Sequence, residues 1–292
     1  MEWERHRTGW PNAQHSRFVT VTPHRWHVQE AGQGDTLLLI HGAGGATQSW
    51  RGLFPLLAET HHVVAIDLPG QGFTKLGSRM RCGLAPMAQD VARLCEAEGW
   101  APRLIIGHSA GAALALQLVD VLKPEGIVGI NAALDTFQGV AGWLFPLMAK
   151  FMALNPAIPP LFAFFAGGSS RVADLLASTG SDIGPEGVAL YRRLMTDSGH
   201  VDGTLAMMSQ WHIDPLLRRL ERIETPVRLI VGENDGTVPP EVSHRAAARL
   251  PLGELVSVPG VGHLLHEEDP GRVRREVETF LHSLAPQSHQ RA

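Results

Sequence analysis

The chain has 292 residues, 44% hydrophobic and 18% charged, with a formal net charge of −4. That length and apolar fraction can fill one large α/β core, and they exclude a globally disordered chain. No long basic run is present, so nucleic acid is not an expected partner.

The first ten residues, MEWERHRTGW, mix acids and bases and carry no apolar stretch of the kind a secretory signal needs. Cys82 and Cys95 stand in no metal-type spacing and imply no disulfide framework, so a cytoplasmic, reduced protein is expected.

In chain order, RWHVQEAG alternates and reads as an early antiparallel strand. TLLLIHG and HHVVAIDLPG are continuous apolar runs ending in turn signals, as expected of strands buried on both faces. APMAQDVARLCEAEG has helical period and stops at Gly99. RLIIGHSAG is a third buried strand that runs into the helix AALALQLVDVL. GIVGINA, VRLIVGEND and GELVSVPG are further strands, and GRVRREVETFLHSL is a closing amphipathic helix. The alternation predicts a mostly parallel, doubly wound sheet. It breaks between about Asp135 and Arg222, where the sequence is helical, apolar and interrupted by proline. The expected organisation is therefore a core of residues 1–133 and 223–292 with a helical cap, 134–222, inserted between two strands.

The stretch from Gly142 to Gly168 carries a single charge, Lys150. Pro146, Pro156, Pro159 and Pro160 break it, and proline removes backbone bonds that hydrocarbon cannot replace, so a membrane span is not expected. A cover over an apolar site is the alternative. Most of its large side chains are expected to pack the cap onto the core, with Trp143, Phe145, Met148, Phe151 and Met152 as candidate pocket residues and Phe162, Phe164 and Phe165 beyond them.

Chemistry is expected at GHSAG, Gly107–Gly111, which follows a buried strand and opens a helix. This is the placement of a nucleophile elbow, with Ser109 at its tip. A serine hydroxyl needs a base, and His263 in VPGVGHLLHEEDP is the candidate, with His266 as competitor. Asp235, at the end of VRLIVGEND, is the expected acid that orients the base; Asp135 and Glu233 are the alternatives. Charge developing on a substrate oxygen would be met by the N–H groups of Ala110 and Ala43, with Gly44 as the other donor for the second position. His41 and Asp67 read as structural, Asp67 as a turn-former. No zinc site or other cofactor is expected: His61–His62 and His263–His266 lack partners at ligand spacing.

With these motifs placed, the chain resembles the α/β-hydrolase superfamily throughout. More narrowly it is similar to the magnesium-chelatase accessory proteins of bacteriochlorophyll biosynthesis, through EWERHRTGWPNAQHSRFV, HGAGGATQSWRGL, LNPAIPPLFA, SGHVDGTLAMMSQW and GHLLHEEDP. Gln71 departs from the PGHGF of many relatives and lies outside the triad, so little is expected of it. Haloalkane dehalogenases and epoxide hydrolases of this fold attack with a carboxylate, which Ser109 is not. The resemblance implies a role beside magnesium insertion into a porphyrin. Two readings stay open: a serine hydrolase of an ester-like or acyl substrate with apolar bulk, tetrapyrrole-linked, or a non-catalytic porphyrin-binding accessory protein. Magnesium-chelatase subunits as partners and peripheral membrane contact follow from the same resemblance.

Overall fold

In a computed structural model, which describes residues 1–135, 155, 158–166 and 169–284, eight strands form one sheet in the order β1-β2-β4-β3-β5-β6-β7-β8. The strands are β1 (Ser16–Val21), β2 (His24–Ala31), β3 (Thr36–Ile40), β4 (His62–Ile66), β5 (Pro102–His108), β6 (Gly126–Ile130), β7 (Val227–Gly232) and β8 (Gly253–Val258). The β1–β2 and β2–β4 pairs are antiparallel and the other five are parallel. Sequence reading misses β1. SRFVTV is short, and it is half-exposed along most of its length because it lies at the sheet edge.

The central strands are buried on both faces, and an apolar layer lies against each. Helices α1 (Leu53–Ala58) and α9 (Pro270–Leu284) cover one face, with Leu53, Phe54, Val273, Val277 and Phe280 packed on Leu37, Leu39 and Ile106. Helices α2 (Leu84–Glu98) and α3 (Ala110–Gln117) cover the other, with Met87, Val91, Leu114 and Leu116 against Leu38, Ile40 and Ile105. Gly99 closes α2 at φ 68°, a left-handed conformation that explains why the helix stops there. Helix α8 (Pro240–Arg249) packs on β7 and β8.

From β3 the chain crosses to β4 on one side and then returns to β5 on the other. Ligand crevices of open α/β sheets form at such a reversal, beyond the carboxyl ends of the strands. The loops after β3 and β5 emerge side by side at that point.

Between β6 and β7 the described residues contain helices and no strand: α4 (Ile158–Ala166), α5 (Ser169–Ser178), α6 (Gly184–Met195) and α7 (Ser198–Ser209). Asp197 caps α7, accepting from His200 N–H at 2.9 Å. Val172, Leu176, Leu190, Tyr191 and Leu194 join Trp10 and Phe73 in a third apolar cluster, which ties these helices to the N-terminal segment. Trp143, Phe145, Met148, Phe151 and Met152 lie outside the described residues, as do the side chains of Phe162, Phe164 and Phe165. Among the described residues no helix is long and apolar enough to cross a membrane.

Candidate active site

Ser109 sits between β5 and α3 with φ 51° and ψ −116°. A non-glycine residue rarely adopts that backbone, and the surroundings hold it there. Its N–H donates to Ile130 O at 2.9 Å, and its carbonyl accepts from Ala112 N–H and Ala133 N–H. The turn needs glycine on both sides: a Cβ at Gly107 would fall 2.3 Å from Gly111 O, and one at Gly111 would fall 2.1 Å from Ile40 O. Gly42, in the facing loop, also lies against this turn; a Cβ there would lie 3.0 Å from Ser109 Cβ and 2.9 Å from His108 Nδ1.

Asp235 follows β7 and is buried. Its Oδ1 accepts from Thr237 N–H and Val238 N–H, both at 2.8 Å, and its Oδ2 lies 2.8 Å from His263 Nδ1. The ring is thereby held with hydrogen on Nδ1 and a lone pair on Nε2, the tautomer a general base requires. His263 N–H donates to Thr179 O, and His263 O accepts from His108 Nε2 at 2.9 Å. The residue before Ser109 therefore bonds directly to the His263 peptide, and the two imidazole centroids lie 4.8 Å apart. Ser109 Oγ makes no hydrogen bond among the described residues; nucleophile–base bonds are commonly long without substrate and tighten with it.

The competing residues are engaged elsewhere. His266 is fully buried and bonds Ser49 Oγ at 2.7 Å. Ser49 in turn donates to Glu267, which also accepts from Tyr191 and Arg51. Asp135 pairs with Arg245, and Glu233 is exposed. His61 meets Glu278, and His62 bridges Thr36 and Glu30. Among the described residues no group of three His, Cys, Asp or Glu is placed to hold a metal ion. Burial pushes the Cys82 thiol up to about 11 and the Cys95 thiol up to about 12, and both are free.

For an oxyanion, the N–H of Ala110 opens α3 and is one of that helix's unpaired donors. Ala43 N–H likewise meets no acceptor among the described residues. Gly44 N–H does: it donates to Gln71 Oε1 at 2.7 Å, which removes Gly44 as the alternative donor. Gln71 is thus not the bystander that its distance from the triad in sequence suggests.

His41 is fully buried and braces this loop, contacting its own neighbour Gly42 O through Nδ1 and accepting from Leu68 N–H through Nε2. Burial lowers its pKa and keeps it neutral. Asp67 does more than form a turn. It accepts from Thr47 N–H and Phe73 N–H and faces His27 Nδ1 at 2.7 Å, all without solvent exposure. Burial alone would raise its carboxyl, but His27, with His41 and the Phe73 N–H, outweighs that and holds it low.

Two further contributors are invisible to motif reading. Asn131, at φ 46° just after β6, donates Nδ2 to Asp235 Oδ2 at 2.6 Å. Its only signal in sequence is an asparagine, tolerant of left-handed backbone, at a strand end. Thr179 O accepts from Gly236 N–H at 3.0 Å and His263 N–H at 3.1 Å, so one carbonyl from the segment between β6 and β7 ties the Asp235 loop to the His263 loop.

The family model described as alpha/beta hydrolase fold matches residues 35–270. The chain belongs to the alpha/beta-hydrolase family. It is 44% identical over 260 residues to the magnesium-chelatase 30 kDa subunit of Rhodobacter capsulatus, covering 88% of this chain and 91% of that one. It is 28% identical over 215 residues to the epoxide hydrolase EphH of Mycobacterium tuberculosis, covering 69% of this chain and 96% of that one. Among solved structures, an alpha/beta-hydrolase fold protein from Burkholderia ambifaria superposes with a TM-score of 0.76 at 23% identity, covering 89% of this chain and 96% of that one. The last likeness bears on the fold alone. The fold places the loop after β3 and the turn after β5 side by side at the sheet reversal.

Proposed function

We propose that this chain is a serine hydrolase whose nucleophile is Ser109, base His263 and acid Asp235. The observation that carries the reading is the 2.8 Å contact of His263 Nδ1 with a buried carboxylate, on a loop bonded to the residue preceding a strained serine. In this reading His263 Nε2 takes the Ser109 proton as Oγ attacks an acyl carbon. The oxyanion is met by Ala110 N–H and Ala43 N–H, donors each worth about 2.7–4 kcal/mol. Collapse expels the leaving group, which takes the proton from His263, and a water activated by the same ring hydrolyses the acyl-enzyme. The serine at position 109 favours acyl chemistry over the carboxylate attack of epoxide-opening relatives.

The substrate is proposed to be an ester or related acyl compound with apolar bulk, acting at the magnesium-chelatase step, by similarity to the 30 kDa chelatase subunit. Contact with chelatase subunits and with a membrane surface belongs to the same proposal. The test is genetic. In a bacteriochlorophyll-producing strain that lacks its own counterpart, the wild-type chain should restore pigment and Ser109→Ala should not. Full restoration by Ser109→Ala would overturn hydrolysis as the physiological role.

The same 44% identity favours a second reading, in which the protein binds a porphyrin for the chelatase without turning it over. Titration with protoporphyrin and magnesium protoporphyrin should then shift their absorbance at micromolar concentration, equally with Ser109→Ala. No shift removes this reading.

A further inference from the structure

Side chains hold Gly44 through both of its backbone polar groups. Its N–H donates to Gln71 Oε1 at 2.7 Å, and its carbonyl accepts from His200 Nε2 at 3.1 Å. His200 Nδ1 accepts from Gly72 N–H at 3.0 Å, which settles the tautomer: hydrogen on Nε2, lone pair on Nδ1. Gln71 Nε2 in turn lies 3.1 Å from Met207 Sδ. His200 and Met207 are both on α7, Gln71 and Gly72 are on the turn after β4, and Gly44 is on the loop after β3. Three segments distant in sequence therefore meet at one residue, Gly44.

The meeting is tight. A Cβ at Gly203 of α7 would fall 2.1 Å from Gly70 O, so the helix and the turn touch backbone to backbone. Gln71 and His200 are both buried. Burial pushes the His200 ring down to about 4, with His41 adding to the effect and the Gly44 carbonyl opposing it. The ring is neutral near pH 7, as its two bonds require.

We infer that Gln71 and His200 are positioning residues of the oxyanion hole, which occupy both polar groups of Gly44, leave Ala43 N–H as the open donor beside Ser109, and make α7 a structural part of that hole. The catalytic meaning rests on the hydrolase reading above; the clamp itself does not. Removing an oxyanion donor outright costs about 10²–10³ in kcat, so displacing one should cost roughly ten- to a hundredfold. It should leave KM nearly untouched, because the donor acts on the charge that develops in the transition state.

The test uses the full chain with Gln71→Leu, His200→Asn and His200→Gln, assayed on a p-nitrophenyl ester. Amide hydrogen exchange over residues 41–46 is followed in parallel. Glutamine can place an amide N–H near where imidazole Nε2 stands and keep the Gly44 bond, whereas asparagine reaches only the Nδ1 position and keeps the Gly72 bond. Gln71→Leu and His200→Asn should lose roughly ten- to a hundredfold in kcat with KM within about threefold, and exchange over 41–46 should quicken. His200→Gln should retain at least about tenfold more kcat than His200→Asn. Equal impairment of the two His200 variants, or stable variants with wild-type kcat, would overturn the inference and leave the hydrolase reading standing. Should the wild type show no Ser109-dependent turnover, the hydrolase reading fails instead, and exchange decides the clamp. Faster exchange over 41–46 in Gln71→Leu and His200→Asn supports it, and unchanged protection overturns it.

Discussion

Asn131 Nδ2 donates to the same oxygen of Asp235, Oδ2, that faces the His263 ring, at 2.6 Å. The Asp235 carboxylate is therefore fixed from two strands, by its own loop after β7 and by the end of β6. A hydrogen bond to a charged group contributes about 1.5–3 kcal/mol. Asn131→Gly accepts the left-handed backbone at φ 46° and deletes only this bond, so kcat/KM should fall roughly ten- to a hundredfold, with a stability loss no larger than about the worth of that bond. Asn131→Ala should lose as much activity and also lower the melting temperature, because alanine resists that backbone. Steady-state kinetics beside thermal melts separate the two, and equal stability of both variants would count against the strain argument.

Asp235→Asn should be far more damaging than its small change in shape suggests. Thr237 and Val238 both donate to Oδ1, so an asparagine must keep its carbonyl there and turn its NH2 toward His263. That NH2 would donate to Nδ1, force hydrogen onto Nε2 and leave the ring unable to take the Ser109 proton. It would also face the NH2 of Asn131. A loss on the order of 10⁴ in kcat with the fold intact is expected, by analogy with the wrong-tautomer effect in triad proteases. A loss under about tenfold would point to another acid.

The protein should be sensitive to mild acid. His41, His108, His200 and His266 are buried with pKa values below the ordinary one, in each case chiefly because burial disfavours the cation. For His108 the neighbouring His266 and His263 add to it. Unfolded, all four would titrate near about 6.5. Between that value and the lowered folded values, which for His200 is about 4, the unfolded chain binds more protons. Stability therefore falls as pH drops through this window and is fully present above it. Melting temperature should be flat near pH 8, decline from about 6.5 downward, and decline less steeply in His200→Gln. A flat profile down to pH 5 would contradict the burial of these rings as neutral groups.

Gly180 holds the junction where the segment between β6 and β7 meets the loops that carry Asp235 and His263. It sits at φ 79°, and a Cβ there would fall 1.9 Å from Asn234 O, beside the acid. Gly180→Ala should destabilise by at least about 1–3 kcal/mol and lower kcat together, because Thr179 O can no longer hold Gly236 and His263 at once. Urea titration and kinetics on one sample check this; lost stability with unchanged kcat would mean that the shared carbonyl is not needed to align the loops.

Most of the sheet can be read from the chain because its strands are continuous apolar runs, a pattern that burial on both faces demands. Gly107, Ser109 and Gly111 announce themselves through the steric needs of one sharp turn. What cannot be read is anything set by approach in space. Asn131, Thr179, Gln71 and His200 act through contacts that span up to 156 residues of sequence, and no local pattern encodes them. Asp67 reads as a turn residue because its turn-forming bond to Phe73 is local, whereas its bond to Thr47 and its pairing with His27 are not. The motif SGHVDGTLAMMSQW is distinctive in sequence, yet the physical use of its His200 and Gly203 emerges only where α7 meets the turn after β4.

The central claim is that Ser109 is an activated nucleophile, and covalent labelling tests it directly. A fluorophosphonate should form a single phosphonyl adduct on the peptide that contains Ser109, resolved by mass spectrometry. The adduct should be absent in Ser109→Ala and at least about a hundredfold slower to form in His263→Ala. A folded wild-type protein that stays unlabelled while a control serine esterase reacts, or a Ser109→Ala variant labelled as fast as wild type, would contradict the account.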